Sequence, residues 1–164
     1  MNNIIREQLF EGVNFTYIPE NKFKSTLISF SMFTPLSKRD VSKNAVIPGL
    51  LAHSCKKYPS LKSLSMKLEE LYGSIVVPSL SKLGESQVVG VSALGLNNSF
   101  TNNNSNNIAD LTELLCEMIF NPDIENNSFK EESVAQEKRQ LIEDILSELN
   151  DKKTYSRRKC EEIM

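Results

Sequence analysis

The sequence predicts an α+β fold in which helices pack on one face of a mainly antiparallel sheet, and three observations carry that reading. Two stretches, Val13 to Phe33 and Ser74 to Leu96, hold paired β-rich runs separated by turn residues. Leucine, isoleucine and valine recur at helical spacing in the segments after each of them. The order is then hairpin, two helices, hairpin, two or three helices, a two-layer arrangement with helices on a sheet.

In the first hairpin Val13, Phe15 and Tyr17 alternate with Asn14 and Thr16, Pro19 and Asn21 make the turn, and Thr26 to Phe33 returns. After Pro35, Asp40 to Ser54 is an apolar helix with Asp40 as its N-cap, and Ser60 caps a second helix bearing Leu61, Leu64, Leu68 and Leu71. Tyr72-Gly73 ends that helix. The second hairpin pairs Ser74 to Leu80 with Ser86 to Leu96 through Lys82-Leu83-Gly84-Glu85, and Pro78 places its strand at an edge or bulge.

Asn97 to Asn107 is nearly all Asn, Ser and Thr, too polar to bury, and reads as a flexible exposed loop. Ile108, Leu111, Leu115, Met118 and Ile119 share one face of a helix that stops at Asn121-Pro122. Phe129 to Leu149 directs Val134, Leu141, Ile145 and Leu149 inward until Asn150-Asp151 breaks it. A last helical pattern runs from Thr154 to Met164 with no cap, so the chain is expected to be part of something longer.

A length of 164 residues fits one domain, and 40% hydrophobic with 24% charged residues is ordinary for a globular protein. Nineteen basic against twenty-one acidic side chains give a net charge of −2, which removes the positive field that phosphate binders use, so no nucleic-acid partner is expected. No apolar window reaches membrane-spanning length and the N-terminus lacks a signal-peptide core, so the chain reads as cytoplasmic with no membrane partner. Cys55, Cys116 and Cys160 are widely spaced and read as reduced thiols, with Lys56 and Lys57 placed to lower the pKa of Cys55.

Catalytic constellations are absent by composition. There is a single histidine, His53, no G-x-S-x-G elbow and no glycine-rich phosphate loop. The pairs Glu69-Glu70 and Glu131-Glu132 diverge on helices and read as solvated faces. Lys152, Lys153, Arg157, Arg158 and Lys159, interspersed with acids, read the same way.

The order of elements together with Asn44 to Ser60 and Leu68-Glu69-Glu70-Leu71-Tyr72-Gly73 resembles the insulinase or pitrilysin family of inverted zincins, in particular its peptidase-silent bacterial branch associated with elongation factor P modification. The resemblance implies the N-terminal part of an insulinase-like, processing-peptidase-like half-domain. Family members carry H-x-x-E-H on the first helix after the opening hairpin and a glutamate ligand on a later helix. Counted without gaps, Ala45 and Gly49 stand at the two histidine positions, Pro48 at the catalytic glutamate, and Ala135 at the later ligand, with Glu137 just downstream. A shifted register would put His53 on the first histidine, with Lys56 and Lys57 on the glutamate and second histidine, where two cations repel a metal.

The resemblance therefore implies no catalytic residue, metal or cofactor, and a non-catalytic subunit that pairs with an active zinc-bearing homologue and helps bind polypeptide substrate. Two alternatives stand beside it: a fragment of an active zinc peptidase whose ligands lie in a part not present, and a stand-alone interaction domain.

Overall fold

A computed structural model describes residues 4–102, 105–147 and 150–163, the side chains of 161 and 162 excepted. The expected contributions of Leu149 and Met164, and the centre of the Asn-rich segment, lie outside the described residues. The chain is α+β with antiparallel sheets.

The N-terminal strands depart from expectation. Strand β1 (Ile5–Phe10) pairs with β2 (Val13–Tyr17), so the opening hairpin closes at Glu11-Gly12 and not at Pro19. Gly12 supplies the positive φ of 76° that this tight turn needs. The run Ile5 to Phe10 does not alternate apolar with polar residues, so only the glycine at position 12 hints at the turn, and a two-residue connection closes more readily than the longer one through Pro19. Strand β3 (Ser25–Pro35) instead joins β5 (Ser86–Leu96), whose other neighbour is β4 (Ile75–Leu83), giving a three-stranded antiparallel sheet in the order β3-β5-β4. The β4-β5 hairpin turns at Gly84, and Pro78 does lie on an edge strand.

Register divides this sheet into two faces. Ile28, Val91 and Ala93 face the helices, while Leu27, Phe33, Ile75, Val77 and Leu94 point to the opposite side and remain exposed. Helix α1 (Val41–His53) starts after Asp40, which makes no side-chain capping bond and instead sits 3.6 Å from Lys43. Its sequence is apolar nearly all round, as a helix packed on several sides must be; it touches β4, β5, α3 and α4. Helix α2 (Leu61–Glu70) begins with the expected cap, Ser60 accepting from the Ser63 amide at 3.2 Å.

Helix α3 (Asn107–Phe120) buries Leu111, Leu114, Leu115 and Met118 against β5. Gly95 on β5 permits that approach, since a Cβ there would overlap Leu111. Contrary to the polar-loop expectation, Asn107 is 1% exposed, its Nδ2 donating to the Leu96 carbonyl at 2.8 Å. The short pair β6 (Ile124–Glu125) and β7 (Ser128–Phe129) turns at Asn126-Asn127, both at positive φ, before α4 (Glu131–Ser147). Ile145, expected inside, is half exposed, because α4 meets the body mainly along α1. Helix α5 (Lys152–Ile163) is capped by Asp151, which accepts from the amides of Lys153 and Thr154.

Candidate functional site

The first helix and the fourth meet at the positions to which the resemblance points. Ala45 lies one turn before the adjacent Pro48 and Gly49 on α1, and the three line, with His53, one open cavity of about 410 Å³ bordered by Pro78, Ser79 and Leu80 of β4 and by Gln136, Glu137, Gln140, Leu141 and Asp144 of α4. Ala135 is exposed and outside this lining, so the residue that α4 brings to the helix is Glu137.

Glu137 reaches into the space that a side chain at position 49 would fill. A Cβ built on Gly49 overlaps its Oε2, so the absence of a side chain is what lets α4 carry a carboxylate so close to α1. Its Oε1 lies 2.6 Å from Nδ1 of His53, the last residue of α1. That oxygen is shut off from water, and its contact with His53 is close without the alignment of a hydrogen bond. Only 11% of the Glu137 side chain is exposed against 49% of His53. A carboxyl group so placed needs polar partners, and the His53 imidazole borders it.

His53 and Gln136 also border a second cavity, about 190 Å³, floored by Leu50 and Phe129 and flanked by Asp123 and Lys130. Asp123 and Lys130 pair at 2.8 Å, and this bond holds the Lys130 pKa above the ordinary lysine value. The two cavities share His53 and Gln136 in their walls.

The residues do not suit a hydrolytic zinc ion. Such a centre takes three donor side chains and a water; Ala45, Pro48 and Gly49 supply none, and the Glu137 carboxylate fills the room over Gly49. Among the described residues no group of three His, Cys, Asp or Glu is arranged to hold a metal. The shifted register has no helix to stand on, because Lys56 and Lys57 follow the end of α1 and Lys57 faces Glu113 at 3.6 Å. Cys55 is fully buried, and burial pushes its thiol pKa up, outweighing the backbone bonds and Lys57 that pull it down, so the low-pKa expectation fails.

Sequence reasoning placed Glu137 next to the site without giving it a role there. The available signal was Gly49: a glycine inside a helix weakens it unless something must come close. Asp144, two turns after Glu137, also went unremarked.

The resemblance to the inactive insulinase-like peptidase group is upheld by comparison with known proteins. The chain is 33% identical over 145 residues, 88% of its length and 34% of the relative's, to a protein of Bacillus subtilis (strain 168) named "Probable inactive metalloprotease YmfF", a member of that group. It also superposes on the crystal structure of a conserved protein from Enterococcus faecalis V583 with a TM-score of 0.84 and 30% identity, covering 93% of this chain and 36% of that one. The chain thus spans about a third of the length of each. No family model matches it.

Proposed function

We propose that this chain is a catalytically silent subunit of an insulinase-like peptidase system, which pairs with an active zinc-bearing homologue and helps bind the polypeptide substrate. The observation that carries the proposal is the occupation of the would-be metal site: Gly49 and Ala45 offer no donors and Glu137, in contact with His53, fills the gap. No donor set for hydrolysis stands there, while a cavity of about 410 Å³ lies beside it. The printed name of the B. subtilis relative supports the silent part of the reading.

Polypeptide binding has a physical basis in β4. Among the described residues this strand has β5 on one side and no strand on the other, leaving backbone groups free to pair with an extended segment. Pro78, Ser79 and Leu80 then place such a segment against the cavity.

The test is co-expression with an H-x-x-E-H homologue. A complex containing one zinc per homologue and none for this chain is expected, with substrate cleavage that drops when this chain is left out. Stoichiometric, chelator-sensitive zinc on the purified chain itself would overturn the proposal, and failure to form a complex would overturn its pairing part.

A further inference from the structure

We infer that the outer face of the β3-β5-β4 sheet is an interface between two copies of this chain, packed face to face about a two-fold axis that crosses the strands at the level of Phe30 and Val91. The accessible surface gives the first reason to look for a partner. It is 12380 Å², against about 8,200 Å² for a compact monomer of 18.5 kDa. The sheet supplies part of that surplus. An antiparallel sheet open on one side turns polar and charged side chains to water, yet the described residues of this outer face include no charge. Leu27 and Phe33 are 65% and 63% exposed on it. Part of its polar content is already paired, since Ser92 Oγ donates to Ser29 Oγ at 2.9 Å across the strands, and this lowers the cost of taking the face out of water.

The order of the rows selects a second copy as the occupant. Leu27, Leu94 and Ile75 stand abreast at one level, and Phe33 and Val88 stand abreast three rows away. Between them lie Ser29 beside Ser92, then Ser31 beside Gly90. Large, small, small, large reads alike in both directions, which is the condition for an isologous contact, where residue i meets j and j meets i. Turned about the axis, the Leu27 row of each copy falls on the Phe33 row of the other, as in two aligned sheets of a sandwich. The serine rows then face each other across a gap suited to bridging water. Three strands about 4.8 Å apart and up to 11 residues long give a footprint of about 500 Å² on each copy. The total of about 1,000 Å² meets the lower bound for a specific interface, so the dimer is weak and reversible.

Sedimentation equilibrium of the purified chain, from low to high micromolar concentration, tests this. A monomer–dimer equilibrium is expected that stops at the dimer. Leu27→Glu and Phe33→Lys should each raise the dimer Kd at least about tenfold, because the symmetry places each introduced charge in the contact twice. Both side chains are exposed in the single chain, so both variants should keep the parent circular dichroism spectrum. Mixed in equal amounts, the two variants should recover dimer, as the carboxylate introduced in one meets the ammonium introduced in the other. A monomer at every concentration overturns the inference. So does a dimer that both substitutions leave intact, one that the mixture fails to restore, or association that continues past two copies.

Discussion

Placing a methyl group at position 49 tests how α1 and α4 are joined. Two opposed effects act on Gly49→Ala. Alanine in a helix interior is favoured over glycine by about 1 kcal/mol. Against this, the new Cβ overlaps Glu137 Oε2, and either the helices separate or the carboxylate withdraws from His53, at an overpacking cost of about 1–3 kcal/mol. The overlapping atom is the tip of a side chain, which points to the lower part of that range. Gly49→Ala should therefore destabilise the chain by about 0–2 kcal/mol. With Glu137 already replaced by alanine the clash is gone, and the same substitution should stabilise by about 1 kcal/mol. Urea unfolding of the four proteins, read by far-ultraviolet circular dichroism, measures the cycle; a coupling of about 1–3 kcal/mol is expected. If Gly49→Ala stabilises equally in both backgrounds, Glu137 does not rest on α1 and the account of the closed site is wrong.

Leu111, fully buried between α3 and β5, should cost about 2–5 kcal/mol when replaced by alanine, measured in the same urea titration. At neutral pH a maleimide should label the exposed Cys116 and Cys160 quickly and Cys55 only after denaturant is added, because burial and a raised pKa both suppress its thiolate; rapid three-site labelling of the native chain, followed by mass spectrometry, would contradict this. The Asp151 carboxyl is held below its ordinary value by the Thr154 hydroxyl and amide. Its cap therefore contributes fully above the ordinary aspartate range and fades as pH falls through the lowered value, so α5 should fray in acid and Asp151→Asn should blunt that response, as followed by amide exchange.

Much of this fold was legible because local chemistry and tertiary packing agree. Ser60 caps α2, Tyr72-Gly73 ends it, and Leu111, Leu115 and Met118 form the buried stripe of α3, each as its spacing implies. Misreadings arose where a partner distant in sequence decides the outcome. Thr26 to Phe33 looks like the return strand of the first hairpin, but its partner is β5, some sixty residues on, and no local pattern announces that. Asn107 looks too polar to bury until the Leu96 carbonyl is placed beside its amide. At the site, the missing donors at positions 45, 48 and 49 are visible in the sequence, whereas the carboxylate lying over Gly49 is a product of how α4 crosses α1.

Pro48, buried in the third turn of α1, carries a consequence for descent. On the proposed reading, regaining hydrolysis demands a base in place of a ring that cannot donate an amide hydrogen, imidazoles at Ala45 and Gly49, and eviction of the Glu137 carboxylate from the space over Gly49. No one of these exchanges restores a three-ligand site alone, and a side chain at Gly49 meets Glu137. A return to zinc chemistry thus needs several coordinated exchanges on two helices.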